Sequence, residues 1–177
     1  MRLGYYNHVV NEWMRVTRVS NVAIIEHKHM LNIQDNVFVG HFCFLEASHG
    51  IYIGEGCQIC SHNVIVTHSS HISIRLYGCE YTKHKDLLGY KKGEIFIGDY
   101  SFVGAHCTIM PGAVIGKGSI VKAYSFVKGN FPDFSLISGN PAVIVGDTRD
   151  LDKDYLNLLP EKLLKRYCEF SRLNKPH

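Results

Sequence analysis

Two histidines at the end of a regular repeat are the residues of this sequence best suited to chemistry. They lie in the segment Thr67-His68-Ser69-Ser70-His71, where the repeat stops. A neutral imidazole nitrogen can accept a proton from a hydroxyl or an amine at physiological pH, which is the task of a general base. The chain holds 11 histidines, so the alternative interpretation is that these two are ordinary corner residues of the repeat.

A repeat of six residues follows this segment and predicts how it is positioned. Branched aliphatic residues recur at Ile97, Val103, Ile109, Ile115, Val121 and Val127, and small residues recur at Ser101, Cys107, Ala113, Ser119 and Ser125. This spacing fits neither the helical period nor the strand period. It is typical of a parallel β-helix, in which three hexads close one coil. We therefore expect residues eighteen apart, such as Ile97 and Ile115, to stack on coils about 4.8 Å apart.

An earlier run of hexads precedes the histidine segment and is separated from the later run by a long excursion. Its large positions are Ile33, Val39, Leu45, Ile53, Ile59 and Ile65, with a phase shift of two residues at Ile51. Residues 69–94 do not fit as further rungs and must protrude. Loops that project from a rigid scaffold often carry function, and the His, Arg, Tyr, Glu and Lys of this one suit a polar ligand.

The two ends of the chain lack the repeat. The spacing of Val9, Val10, Trp13 and Val16 predicts a short helix, and Val19 to Ile25 a strand that opens the coil.

After Val127 we expect the chain to leave the pattern, with Pro132 and Asn140-Pro141 as breakers. Residues 150–174 are predicted to be helical, with Pro160 either dividing a short helix from a longer one or lying in a first turn. This segment is expected to cap or flank the open end of the coil. The predicted division is a domain at 1–149 and a helical extension at 150–177.

Composition excludes several classes of function. The chain has 177 residues, 46% of them hydrophobic, and a formal net charge of +3 with scattered basic residues, so nucleic-acid binding is not expected. The absence of a long apolar run predicts no membrane span, and we expect a cytoplasmic protein. We interpret the basic run from Lys83 to Lys92 as a solvated loop face rather than an anion-binding site.

The six cysteines are expected to be reduced and structural. Cys43, Cys57 and Cys107 fall in small positions of the hexads, where a thiol behaves as a small apolar group. Cys57 and Cys60 form a CxxC without a second pair at zinc spacing. No metal site is predicted.

The hexads, the THSSH break with its loop, the run GDYSFVGAHCTIMPGAVIGKGSIVKAYSFV and the closing SGNPAVIVG resemble the hexapeptide-repeat acyltransferase superfamily. The likeness covers roughly residues 33–146 and is greatest to the maltose, galactoside and capsule or O-antigen O-acetyltransferases. It implies an all-β fold, a single left-handed parallel β-helix with a protruding loop and a C-terminal α-helical segment. It also implies a homotrimer that binds acetyl-CoA between subunits and acetylates a sugar hydroxyl, on a surface polysaccharide or its precursor.

The same resemblance implies roles for particular residues. The catalytic histidine of the family matches His71, with His68 as the alternative because Ser70 stands where the family often has that histidine. Independently of the resemblance, the loop residues Arg75, Tyr77 and Glu80 are candidates for acceptor contacts, and an acid of the loop is a candidate for orienting the imidazole. The residues matched to the cofactor site are Phe102, Gly104, Ala105, Ala123, Ser125, Lys128, Asn140, Pro141 and Ala142. Val143 replaces the basic residue that commonly follows GNPA, so Lys122, Lys128 or Arg149 would take over its contact with the CoA phosphates.

The mechanism that follows is direct transfer, with His71 as the base and backbone amides or Ser125 stabilising the oxyanion. Three alternatives remain open. One is N-acetylation of an amino sugar nucleotide on the same fold. Another is a metal-dependent lyase of the γ-carbonic anhydrase type that would use His41, His62 and His106. The third is a non-catalytic β-helix scaffold.

Overall fold

A computed structural model describes residues 1–172 and shows a chain built mainly of short strands. The elements are β1 (Arg2–Asn7), β2 (Glu12–Val19), β3 (Ile24–Glu26), β4 (Leu31–Ile33), β5 (Phe38–Val39), β6 (Phe44–Glu46), β7 (Ile51–Ile53), β8 (Gln58–Ile59), β9 (Val64–Val66), β10 (His68–Ser69), α1 (Ser73–Tyr77), β11 (Lys91–Lys92), β12 (Ile95–Ile97), β13 (Phe102–Val103), β14 (Thr108–Ile109), β15 (Val114–Ile115), β16 (Ile120–Val121), β17 (Phe126–Val127), β18 (Asn130–Phe131), β19 (Ser135–Gly139), β20 (Ala142–Asp147), α2 (Thr148–Leu156) and α3 (Glu161–Ser171). Short 3-10 turns occupy Lys28–Met30 and Gly78–Lys83.

The strands form a three-sided parallel β-helix, in which each coil contributes one strand to each side. Face 1 contains β2, β5, β8, β13, β16 and β19; face 2 contains β3, β6, β9, β14 and β17; face 3 contains β4, β7, β12, β15 and β18. Ile97 pairs with Ile115 on the next coil, which confirms the predicted stacking at an interval of eighteen residues. The fold is therefore the parallel β-helix that the hexads predict.

The interior of the coil is a column of aliphatic side chains. Every large hexad position named above is fully buried, and the small-position thiols of Cys43, Cys57 and Cys107 are at most 1% exposed. Burial raises the pKa of the Cys57 thiol to about 12, so it stays protonated at neutral pH. All six cysteines are free; Cys43, Cys57, Cys107 and Cys168 are buried, whereas Cys60 is half-buried and Cys79 is exposed.

The helix predicted near the N-terminus is wrong. β1 and β2 form an antiparallel hairpin instead, with Asn7 opposite Glu12. Val9, Val10, Trp13 and Val16 are between 44% and 63% exposed, so their helical spacing does not mark a buried face. The end of β2 is already the first rung of face 1, because Val19 pairs in parallel with Val39. That pairing holds the segment extended.

The C-terminal part of the coil extends further than predicted. Phe131 and Ile137 are buried rungs that pair with Ile115 and Val121. This last coil spans 16 residues, as the interval between Ser135 and Ser119 shows. It ends when β20 turns back antiparallel to β19.

Two helices follow the coil, as predicted, and Pro160 directly precedes the second. The first begins at Thr148, and the predicted end at Asn174 lies outside the described residues. Phe170 of α3 packs against the rings of Tyr100 and Phe134, and Lys117 donates to its carbonyl oxygen at 3.1 Å. The helices therefore flank the corner between faces 3 and 1. Among the described residues, no helix is both long and apolar enough to cross a bilayer.

Candidate active site

Two corners of the coil carry the residues predicted to have functional roles. The loop corner joins face 2 to face 3 and consists of residues 47–50, 67–94, 110–113 and 128–129. The ring corner joins face 1 to face 2 and consists of residues 40–43, 60–63, 104–107 and 122–125. The excursion projects from the loop corner, where its two ends meet through the pairing of β10 with β11.

A buried carboxylate lies at the base of the excursion, and sequence analysis did not single it out. Glu46 ends β6 and is only 3% exposed. Its Oε2 lies 2.8 Å from His68 Nδ1 and accepts hydrogen bonds from the backbone N–H and the hydroxyl of Thr67 at 3.2 and 2.8 Å. Its Oε1 accepts from the Ser48 backbone N–H at 2.8 Å. Most of its acceptor positions are therefore filled.

These contacts fix the charge of Glu46. Burial alone would raise the pKa of its carboxyl group, but the hydrogen bonds from Ser48 and Thr67 and the nearby His68 outweigh burial and lower the pKa to about 2. Glu46 is therefore ionised at neutral pH. A carboxylate only accepts hydrogen bonds, so Nδ1 of His68 carries the proton in this pair and Nε2 has a free lone pair. The His68 side chain is 37% exposed, which leaves it open to a substrate.

Two further rings surround His68. The Tyr90 ring stacks on it with centroids 5.6 Å apart and an angle of 12° between the planes. The His49 ring lies 6.1 Å from His68, and Ser48 Oγ lies 2.9 Å from His49 Nδ1. Burial raises the pKa of Tyr90, and the nearby Tyr81 and Glu46 act in the same direction, so its phenol is neutral at pH 7. His68 is thus oriented by Glu46 and held on one ring face by Tyr90.

His71 has a different environment. It is exposed, and within the described part of the chain its ring nitrogen Nδ1 bonds to Ser69 Oγ at 2.8 Å. The guanidinium of Arg75 donates to the His71 carbonyl oxygen. The structure therefore gives His71 a hydroxyl neighbour where His68 has a buried carboxylate.

The other loop residues predicted to contact an acceptor hold the loop itself together. The Tyr77 hydroxyl accepts from the Leu88 backbone N–H at 3.0 Å, and Glu80 forms an ion pair with Lys83 at 2.9 Å. A cavity of about 520 Å³ lies elsewhere in the loop. Its lining residues are His49, Tyr81, Lys85, Asp86, Leu87, Leu88, Tyr90 and Lys92. The mixed composition of the loop was the signal available in the sequence, but it did not identify these positions.

Four of the nine residues predicted for the cofactor, Gly104, Ala105, Ala123 and Ser125, lie at the ring corner, across face 2 from His68. Gly104 packs against the next coil, because a Cβ there would lie 2.6 Å from the Ala123 nitrogen. The Ser125 hydroxyl is 2% exposed, donates to the Lys122 carbonyl oxygen at 2.6 Å and accepts from the Gly139 N–H at 3.2 Å. The closure and packing of the coils therefore account for the small side chains at positions 104 and 125. The Ser125 hydroxyl proton is thus already donated to the Lys122 carbonyl oxygen and is not available to an oxyanion.

The remaining predicted positions are spread over the same coils. Phe102 is 39% exposed on face 1, and Ala105 lies between Gly104 and the ring of His106 at the ring corner. Asn140 and Pro141 form the turn between β19 and β20, and Ala142 is the first residue of β20.

The basic candidates also differ in position. Lys128 lies at the loop corner and Lys122 at the ring corner. Arg149 is paired with Asp147, with Nη2 and Oδ2 2.5 Å apart. Within one chain, the candidate base and the four cofactor candidates at the ring corner are thus on different corners.

The three histidines considered for a metal do not converge. His62 and His106 stack on each other with ring centroids 4.7 Å apart, whereas His41 Nδ1 bonds to Ser20 Oγ at 2.8 Å. Across residues 1–172 the structure contains no group of three or more His, Cys, Asp or Glu side chains arranged to hold a metal ion.

Comparisons with known proteins agree with this architecture. The family model described as bacterial transferase hexapeptide (six repeats) matches residues 94–129. The chain is 33% identical over 125 residues to a probable macrolide acetyltransferase of Lysinibacillus sphaericus, covering 68% of this chain and 64% of that protein. It is 29% identical over 113 residues to the putative lipopolysaccharide biosynthesis O-acetyl transferase WbbJ of Escherichia coli, covering 63% and 57%. The chain spans less than two thirds of the length of either relative.

A solved structure shares the fold. It is the hexapeptide-repeat containing acetyltransferase VCA0836 of Vibrio cholerae, complexed with acetyl coenzyme A, with a TM-score of 0.62, 24% identity, and coverage of 75% of this chain and 68% of that one. The repeat, the family match and the named relatives agree with one another. On this evidence the chain belongs to the hexapeptide-repeat acyltransferase superfamily.

Proposed function

We propose that this protein is an acetyl-CoA-dependent O-acetyltransferase that acts on a sugar hydroxyl and uses His68 as its general base. The observation that carries the proposal is the Glu46–His68 pair, in which Oε2 and Nδ1 are 2.8 Å apart at the base of the excursion. A carboxylate that orients an imidazole and stabilises its protonated form is a recurring arrangement for general-base catalysis. His71 lacks such a partner among the residues described and becomes the alternative.

The proposed chemistry is direct transfer. Nε2 of His68 accepts the proton of the acceptor hydroxyl while the hydroxyl oxygen attacks the thioester carbonyl carbon of acetyl-CoA. The C–S bond then breaks, and His68 returns the proton to the sulfur, so that an ester and free CoA leave. Glu46 stabilises the imidazolium between the two proton transfers. Because the Ser125 hydroxyl bonds within its own corner, backbone amides are the better candidates for stabilising the oxyanion.

Two comparisons support the choice of donor and acceptor. The Vibrio protein carries acetyl coenzyme A on a shared fold, and the Escherichia coli relative is named for O-acetyl transfer in lipopolysaccharide biosynthesis. We extend both to this chain as acetyl-CoA and a surface polysaccharide or its precursor. The Lysinibacillus relative makes a macrolide the second acceptor to test.

The proposal includes assembly as a homotrimer of left-handed coils, as the family resemblance implies. A neighbouring subunit would then bring its ring corner, with Gly104, Ala105 and Ala123, to the loop corner that holds His68. This arrangement would account for the separation of the two sets of residues within one chain. Light scattering should give three times the mass of the chain, and a monomer that turns over acetyl-CoA would exclude the shared cleft.

The test of the proposed base is a pair of variants. His68→Ala should lower kcat by roughly 10²- to 10⁴-fold, which is the usual contribution of a general base. His71→Ala is the matched control and should stay within a few-fold of the unsubstituted protein. Release of CoA thiol measures the rate, and lability of the product to mild base distinguishes an ester from an amide. Near-normal activity of His68→Ala, with loss in His71→Ala, would reverse the assignment.

A further inference from the structure

The cavity in the excursion opens beside the proposed base. Its inner wall includes His49 and Tyr90, and the rings of both lie against His68. Its volume of about 520 Å³ lies within the range of sites that hold small organic ligands. A molecule in this cavity is therefore close to the imidazole that would accept its proton.

Aromatic and apolar groups form part of the cavity wall. Tyr81, Leu87 and Tyr90 line it and are half-buried. A tyrosine ring has an apolar face and a polar hydroxyl, which suits a ligand with both C–H and O–H groups. This combination fits a sugar ring.

Two lysines at the cavity lack counter-ions. Within residues 1–172, neither Lys85 nor Lys92 takes part in an ion pair, whereas Lys83, outside the cavity, pairs with Glu80. Asp86 is the acidic residue of the lining, and its negative charge offsets one of these two positive charges. Two ammonium groups at one cavity attract an anionic ligand and repel a cationic one.

We propose that this cavity is the acceptor subsite and that it selects sugars bearing an anionic group, a carboxylate or a phosphate, through Lys85 and Lys92. The inference rests on the proposed acetyl transfer and names its acceptor class. It replaces the interpretation of the basic run from Lys83 to Lys92 as only a solvated face. Arg75, Tyr77 and Glu80, the acceptor contacts expected from sequence, lie outside this lining.

The test compares matched acceptors on the full-length protein: glucose, glucuronic acid, glucose 6-phosphate and glucosamine. The expected order of kcat/KM places the two acids above glucose and glucosamine last. Comparison of glucuronic acid with glucose 6-phosphate identifies which anionic group is preferred. Equal kcat/KM values for the acids and for glucose would overturn the inference.

Substitution then assigns the effect to the cavity. Lys85→Met combined with Lys92→Met should raise KM for the acid acceptor roughly 10- to 100-fold, the range for losing hydrogen bonds to a charged group. The KM values for glucose and for acetyl-CoA should not change. Lys83→Met removes a lysine of the same loop that is already paired, and is the control. An equal rise of KM for glucose would show that the lysines act on folding or on the donor, and would overturn the inference.

Binding separates this inference from the proposed function. Calorimetry with glucuronic acid and the His68→Ala variant measures the subsite without turnover. One outcome is that the protein binds glucuronic acid, that the double lysine variant loses this binding, and that the protein transfers no acetyl group. This outcome would support the subsite and refute the acetyl transfer. Acetyl transfer that prefers glucose would support the transfer and refute the subsite.

Discussion

The ring corner and the loop corner are built on the same coils but differ in regularity. At the ring corner, equivalent positions of four coils have a positive φ and carry an aromatic ring: Phe42, His62, His106 and Tyr124. Each ring stacks on the next, with centroids 4.7 to 5.1 Å apart. Each of these positions closes a coil in the same way. At the loop corner the chain departs for 26 more residues, as the coil interval of 44 between Asn63 and Cys107 shows against 18 between Ser101 and Ser119.

That difference explains where a catalytic environment can form. A repeat gives every coil the same surroundings, so no histidine of the ring corner is distinguished by a charged neighbour. At the start of the excursion His68 Nδ1 lies 2.8 Å from the buried carboxylate of Glu46, while His27 Nε2 lies 3.9 Å from its other oxygen. A perturbed carboxylate next to a partly exposed base is typical of functional sites. The comparison predicts that changes at the loop corner lower activity without lowering stability, whereas changes at the ring corner lower stability as well.

The largest effect is expected from removal of the excursion. Ser69 and Lys91 face each other in the β10–β11 pair, so an Asn-Gly turn can replace residues 70–90 as a two-residue hairpin. Acetyl transfer should fall to background, because the acceptor subsite and Tyr90 are lost. The melting temperature should change by only a few degrees, since the aliphatic column contains no residue of this segment. Circular dichroism and a thermal melt check the fold. An unfolded product would contradict the expectation that the loop corner carries activity without being needed for stability.

A smaller loss of activity is expected from Glu46→Gln. The variant keeps the size of the side chain but cannot stabilise the His68 imidazolium, so kcat should fall about 10- to 100-fold, less than for His68 itself. The control is Glu26→Gln. Glu26 is exposed and lies opposite Glu46 in the register of β3 with β6 on the neighbouring coil. Similar rates for the two variants would exclude a role for the Glu46 charge.

The same variant should alter the dependence of stability on pH. Despite burial, hydrogen bonds lower the pKa of Glu46 from 4.5 to about 2 in the folded protein. A lowered pKa contributes stability that is present above the ordinary pKa and is lost as the pH falls toward 2. The unsubstituted protein should therefore lose more stability than Glu46→Gln between about pH 5 and pH 2, as urea unfolding can measure. An equal loss would show that Glu46 is not preferentially ionised in the folded state.

The smallest effect tests the ring corner through stability alone. A Cβ on Gly104 would lie 2.6 Å from the Ala123 nitrogen, so Gly104→Ala should lower the free energy of unfolding by about 1–3 kcal/mol. In Gly146→Ala the nearest atom, Leu136 Cδ2, would lie at 3.5 Å, and the effect should stay within about 0.5 kcal/mol. Chemical denaturation measures both. A Gly104→Ala variant of normal stability would contradict the close packing of the two coils at this corner.

The sequence predicts the coil well because each hexad carries its own information. Large residues mark the column, small residues mark the corners, and both survive the 26-residue excursion without a change of register. The N-terminal hairpin was missed because exposed apolar residues happened to have helical spacing. The last coil was missed because its interval of 16 residues breaks the hexad phase.

The site was less predictable, since burial of Glu46 is created by residues far along the chain. In the sequence Glu46 is one acidic residue after a large position, and only the fold brings Thr67 and His68 to it. The choice between His68 and His71 depends on the same contact. The family resemblance pointed to the segment, but the two histidines, with only Ser69 and Ser70 between them, have quite different environments.

The pairing of Ile53 with Ile97 also has a consequence for chain entropy. Closing a coil of 44 residues rather than 18 costs only about 0.8 kcal/mol of polymer entropy, because the cost grows with the logarithm of length. The excursion can therefore lengthen, shorten or change sequence with little penalty to the coil. With the acceptor subsite in the excursion, as proposed, acceptor preference can diverge at this one junction while the remaining coils keep their sequence. The junction is therefore a natural place for exchanging loops between members of the superfamily.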